Sequence, residues 1–167
     1  MDYKVRSTQH VSKNCLVCGV ENNFGLKTRF YATKENELVA VFKSMSEHQS
    51  YPNVTHGGIS AAILDEVIGR AIMTTTDSDT FGVTVELVVR YRKPVPIGCE
   101  LKVVGRITRD RGRIFEGTGE LYLPGGEIAV EAEGKYMKRQ LEQITDKSFS
   151  QNEWFVPEDE LPDIISV

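Results

Sequence analysis

The segment "NVTHGGISAAILDEVIGRAI" constrains this chain more than any other. From Ile59 to Ile72 almost every residue is apolar or small, and no proline interrupts the run. Ala, Ile and Leu recur in it, and it is longer than a typical strand, so it predicts a helix over residues 58–75. A helix with so little polar surface needs neighbours around most of its circumference. Whatever else the chain does, it must wrap this helix.

The flanking sequence offers strands for that purpose. "GLKTRFYA" and "ELVAVFKS" are strand-like and are joined by a turn signal at Lys34, Glu35 and Asn36. "EHQSYPNVTHGG" reads as a loop, broken by Pro52, Asn53 and two glycines. Four further strands are predicted over residues 83–93, 100–110, 113–123 and 127–138. "RDRG" and "LPGGE" between the later ones signal tight turns, hence antiparallel hairpins. Strict alternation in "VTVELVVRY" puts Val83, Val85, Leu87, Val89 and Tyr91 on one face. Hairpin, long helix and meander imply an α+β fold in which one curved antiparallel sheet and one central helix cover each other. Residues 1–22 lack a hydrophobic period and are expected to be irregular. Residues 139–167 form a weakly specified tail with late hydrophobics at Trp154 and Phe155. That leaves residues 23–138 as the folded domain.

Charge and leader segments narrow the function. Against 20 basic side chains stand 24 acidic ones, a net charge of −4. No global field draws nucleic acid or an anionic membrane, so any anion must be held locally. "MDYKVRSTQH" has no apolar signal region, and no run is long enough to span a bilayer, so a cytoplasmic location is expected. Three cysteines argue against a disulfide framework. Cys15 and Cys18 form a CxxC, but no second Cys pair exists, and His10, His48 and His56 are not at paired ligand spacing. No metal and no cofactor is expected, and Cys99 reads as a small buried hydrophobe.

The two acids inside the helix differ. Glu66 precedes Arg70 by four residues, the orientation that favours an ion pair. Asp65 has only Ala61, Ala62, Ile68 and Gly69 at helical spacing, and unpaired acids in apolar surroundings tend to mark sites. His56-Gly57-Gly58 opens the helix. Its first amides have no intrahelical acceptor and lie at the positive end of the dipole, where they suit an oxyanion. Asp65 begins about two turns further on, too far to touch the same atom at about 1.5 Å rise per residue. The two converge only if a second copy of the chain supplies one of them.

"HGGISAAILDE" followed by "GVTVELVVRYRKPVPIG", with "CLVCGVENNFGL" and "SEHQSYPNVTHGG" before them, resembles the hotdog-fold acyl-CoA thioesterases of the phenylacetate-pathway type over about residues 15–138. The resemblance implies a helix wrapped by an antiparallel sheet. It implies a homodimer whose sheets join, or a dimer of dimers. It also implies hydrolysis of an acyl-CoA thioester, with CoA entering only as part of the substrate. Asp65 would then be base or nucleophile, and Gly57 would donate its amide to the thioester carbonyl. Thr84 would help hold water, while His56 and Gly58 complete the motif. Some relatives carry an Asn six residues before the His. This chain has Ser50 there, with Gln49 beside it as the substitute candidate. For the CoA phosphates, Arg90, Arg92 and Lys93 in "RYRK", and Arg109, Arg111 and Arg113 in "RDRGR", are the local cations. Phe81, Tyr51 and Met73 are candidates for the acyl channel. Two other outcomes fit the same fold: a non-catalytic acyl- or CoA-binding protein, and an acyl-CoA hydratase, which would need a second proton-transfer residue paired with His56.

Overall fold

The computed structural model describes the backbone of residues 1–167 and every side chain except those at positions 147 and 150. Helix α1 runs Gly57–Arg70 and tightens into a 3-10 turn over Ala71–Thr74. Ile63, Leu64, Val67, Ile68, Ala71 and Ile72 are fully buried, so the apolar run meets protein on most sides. Each large side chain removed from water there contributes about 1.5–3 kcal/mol.

The cover is an antiparallel sheet built from β1 (Asp2–Thr8), β3 (Arg29–Thr33), β4 (Leu38–Lys43), β5 (Thr80–Tyr91), β6 (Glu100–Asp110), β7 (Ile114–Tyr122), β8 (Ile128–Gln140) and β10 (Ile164–Ser166). Their spatial order is β10-β1-β3-β4-β6-β7-β8-β5. Two short strands, β2 (Val11–Ser12) and β9 (Trp154–Phe155), pair separately, and a short helix α2 (Lys147–Asn152) precedes β9. This is the wrapped-helix architecture expected from the patterning. Two glycines let helix and sheet approach. A Cβ at Gly105 would lie 2.6 Å from Val67 Cγ1, and one at Gly117 would lie 2.7 Å from Ile68 Cγ2.

Three expectations are corrected. The first residues are not irregular: β1 pairs with β3, and Tyr3 and Val5 are buried on the sheet face away from α1, with Tyr31, Val39, Val104 and Ile165. Two alternating apolar residues are too short a period to detect. The tail does not stand outside the folded domain either, since β10 pairs with β1 and Trp154 packs on Phe81 and His10. The last four main strands are not a simple meander, because β5 pairs with β8, not β6, and so becomes an edge of the sheet.

The alternation in β5 also fails at one place, with consequences for function. The pairing register with β8 slips between Thr84 and Glu86, so Val85 is an extra, bulged residue. Past the bulge, Leu87 and Val89 pack on the core as expected. Before it, parity is reversed. Val83 and Val85 are exposed, and Thr84 sits opposite the buried Tyr136, facing the helix.

Candidate active site

The start of α1 is organised by His56. Its backbone is extended (φ −58°, ψ 135°), and its Nδ1 accepts the Gly58 amide at 2.9 Å, an N-cap made by an imidazole. The amides of Ile59 and Ser60 point back to the His56 carbonyl at 2.9 and 3.3 Å. Gly58 is therefore occupied, and among the described residues the Gly57 amide has no acceptor. The Tyr91 hydroxyl donates to the Gly57 carbonyl at 2.8 Å, fixing this turn to the end of β5. A cleft of about 390 Å³ opens here, lined by Ser50, Tyr51, Gly57, Ser60, Arg92 and Lys93 among others. Ser60 is 1% exposed, yet its hydroxyl has no partner among the described residues. Sequence reasoning passed over it as one small residue among many. Gln49 is not brought to this cleft. Its Oε1 accepts the Asn53 amide at 2.9 Å and holds the preceding turn, where Asn53 has a positive φ of 63°.

Asp65 lies two turns further along. Its Oδ1 accepts from the Thr84 hydroxyl at 2.8 Å and from the Tyr136 hydroxyl at 3.1 Å. Thr84 can do this only because the bulge turns it inward. Tyr136 is fully buried, with its ring stacked on Phe115 at 5.2 Å between centroids. Gly134 leaves the space for that ring, since a Cβ there would lie 2.4 Å from Tyr136 Cε2. Burial, and secondly the Asp65 charge, push the phenol above its ordinary range, so Tyr136 stays neutral and donates. A cleft of about 230 Å³ borders Asp65, lined also by Glu66, Gly69, Arg70, Met73, Phe81, Gly82, Val83 and Thr84. Of the candidates for the acyl channel, Phe81 and Met73 border this cleft, while Tyr51 borders the other.

Glu66 pairs with Arg70 at 2.6 Å, as the spacing predicts. Arg70 is only 5% exposed. It donates to the His10 carbonyl at 2.7 Å and to Cys18 Sγ at 3.3 Å, and lies between the rings of Phe30 and Trp154 at 4.3 and 4.8 Å. The pair is a buried hub between α1, the N-terminal segment and the tail. Beside it the Cys18 thiol is held below its usual value, first by its hydrogen bond with Cys15, against burial, with Arg70 helping. His48 is structural. Its Nδ1 accepts the Met45 amide at 2.9 Å, so its Nε2 donates to the Phe24 carbonyl at 2.7 Å.

The expected phosphate cations divide into two sets. Arg90, Arg92 and Lys93 pair with Glu133, Glu131 and Glu127 at 2.6, 2.8 and 2.6 Å. Arg109, Arg111 and Arg113 make no ion pair among the described residues. Their turn lies at the Asp65 end of the sheet, because Phe115 pairs with Tyr136 and Tyr136 with Thr84. Within one chain the Gly57 and Asp65 clefts share no lining residue. Eight residues of helix separate their key groups by about 12 Å.

Comparison with known proteins places this geometry. The profile of the thioesterase superfamily matches residues 52–130, which include both clefts' helix. Acyl-coenzyme A thioesterase THEM4 of Mus musculus is 27% identical over 115 residues, covering 68% of this chain and 48% of that protein. The chain thus spans about half the length of that curated relative. Among solved structures, a thioesterase superfamily protein is 26% identical with a TM-score of 0.69, over 76% of this chain and 64% of the other. The PaaI protein of the E. coli phenylacetic acid degradation operon shares the fold at a TM-score of 0.61 and 13% identity, over 68% and 80%. The chain thus has the wrapped-helix fold of these structures, and its residues 52–130, which hold the HGG-to-acid segment, are similar to the thioesterase superfamily.

Proposed function

We propose that this protein hydrolyses an acyl-CoA thioester, with Asp65 as base or nucleophile and the Gly57 amide as oxyanion donor. The observation that carries this is the setting of Asp65: one carboxylate oxygen held by two neutral hydroxyls, Thr84 and Tyr136, beside a cleft bordered by Met73, Phe81 and Val83. Both hydroxyls fix its orientation without neutralising its charge. The carboxylate either activates a water against the carbonyl carbon or attacks it directly. The C–S bond then breaks and the thiolate leaves. A single well-placed amide on the developing oxyanion is worth about 2.7–4 kcal/mol. The name of the mouse relative supports the substrate class. His48 and His56 both hold backbone groups, so neither is free to pair with an acid for hydratase chemistry.

Two copies complete the site. β5 pairs on one side only and exposes Val83, Val85 and Val88, an edge of the kind that pairs with another strand. Antiparallel pairing of two β5 strands about a point between Leu87 and Val88 sets Thr84 of one copy opposite Tyr91 of the other. Tyr91 carries the Gly57 turn, so the oxyanion donor of one copy arrives beside Asp65 of its neighbour. Arg109, Arg111 and Arg113 are the leading phosphate contacts. Arg92 and Lys93 line the Gly57 cleft and exchange their glutamates for phosphate at little cost, since exposed pairs are worth about 0–1 kcal/mol.

A panel of acyl-CoA esters, followed by release of free thiol, tests this reading. Turnover of at least one ester is expected, with a lower KM than for the same acyl group on a truncated thiol. Tight CoA-ester binding with no thiol release would make the protein a carrier instead.

A further inference from the structure

We propose that Cys15, Cys18 and Glu66 form a site for a thiophilic divalent cation, Zn2+ fitting best, which staples the N-terminal segment to α1. The sequence shows two ligands, which is too few. The fold brings a third from a helix about fifty residues away. The two sulfurs and a Glu66 oxygen lie within 4.8 Å of one another. Two sulfurs on a zinc tetrahedron at 2.3 Å stand ~3.8 Å apart, so the cluster needs to contract by about 1 Å at most.

The surroundings are shaped for anionic sulfur. Cys15 Sγ accepts the amides of Val17 at 3.2 Å and Cys18 at 3.4 Å, so the CxxC turn aims its own N–H groups at the first ligand. The turn closes through Gly19, whose amide donates to the Cys15 carbonyl at 2.9 Å. A Cβ at Gly19 would lie 2.3 Å from that oxygen, so the turn needs a glycine there. Arg70 donates to Cys18 Sγ at 3.3 Å and to Glu66 Oε1 at 2.6 Å, orienting the other two ligands as an outer-shell partner does. Two thiolates, one carboxylate, one guanidinium and a divalent cation sum to zero charge, which suits a partly buried place. The fourth position faces a cleft of about 310 Å³ lined by Ser12, Asn14, Phe149, Glu153 and Trp154, where a water completes the tetrahedron. Glu66 therefore has a duty distinct from that of its neighbour Asp65, and the cation stands outside the hydrolytic step.

The test uses the full chain, reduced with a phosphine and stripped by a chelator. Titration with Co2+ should give a thiolate-to-cobalt charge-transfer band saturating at one equivalent, which Zn2+ then abolishes. Cys15→Ser leaves the Glu66 and Arg70 pair intact and should weaken binding at least about 100-fold. Zn2+ should raise Tm of the wild type and leave that of Cys15→Ser unchanged. X-ray absorption of the zinc-loaded wild type should show two sulfur and two oxygen scatterers. Absence of the band in reduced protein, or equal binding by Cys15→Ser, overturns the site. A zinc shell of sulfur alone, or without sulfur, overturns the ligand set.

Discussion

Asp65 is held by a pair of hydroxyls, and each can be removed singly. Asp65→Asn keeps the shape and removes the base or nucleophile, so kcat should fall at least about 100-fold in thiol-release assays. Tyr136→Phe keeps the stack on Phe115 and deletes one donor. It should lower kcat by about tenfold and cost about 1 kcal/mol in denaturant unfolding, the usual worth of one hydrogen bond. An unchanged kcat would reduce Tyr136 to packing. Asp65, Gly57 and Thr84 stand out in the sequence because they lie in or near one recognisable motif, and the fold brings Thr84 to Asp65. Tyr136 does not, because it lies 71 positions from its acid and no periodicity joins them. Gln49 was misplaced for the converse reason: nearness in sequence says nothing of which way a turn points. His10 gives a pH dependence at the same scale. Burial, with Arg70 helping and Asp79 opposing, lowers its folded pKa below the usual 6.5. The unfolded chain then binds the proton first, so this stabilisation is complete above about pH 6.5 and is lost as pH falls through the folded value. Thermal melts from pH 7.5 to 5 should fall more steeply for the wild type than for His10→Gln, and parallel curves would remove His10 from the account.

Among the elements, α1 was read almost correctly because fourteen residues of helix carry a strong pattern, and its cap and its close approach to Gly105 are local in kind. β5 was read correctly as a strand and wrongly as to faces. One extra residue at Val85 inverts the parity of everything before it, and alternation cannot announce a bulge. That bulge is what joins Thr84 to Asp65. The element also ends the sheet, with Val83, Val85 and Val88 exposed alongside Glu86 and Arg90. Val88→Lys places a charge in the middle of that edge, away from both clefts. Light scattering should then show a shift from dimer towards monomer, with activity falling in parallel. A variant that stays dimeric and active would place the contact elsewhere.

At the level of the whole molecule, one chain carries both halves of the proposed site but holds them about 12 Å apart along α1. The strands at either terminus, invisible to pattern, complete the far side of the sheet, and the tail roofs the Arg70 hub through Trp154. What the sequence conveyed was the wrapped helix and the motif, because both are short-range. Strand order, the exposed edge and the Cys15, Cys18 and Glu66 cluster arise from contacts between distant segments. The central claim is that Gly57 and Asp65 act together across two copies. Gly57 is the first helical residue and follows an extended His56, so proline suits the backbone there and removes the amide without breaking the helix, provided the Tyr91 ring, 3.3 Å from the added Cβ, shifts by a few tenths of an ångström. Gly57→Pro and Asp65→Asn should each be nearly inactive alone. After subunit exchange at equal amounts, the mixture should recover about a quarter of wild-type activity, since half the dimers are hybrids and each holds one intact site of two. Hybrids shown to form, with no recovered activity, would contradict the account.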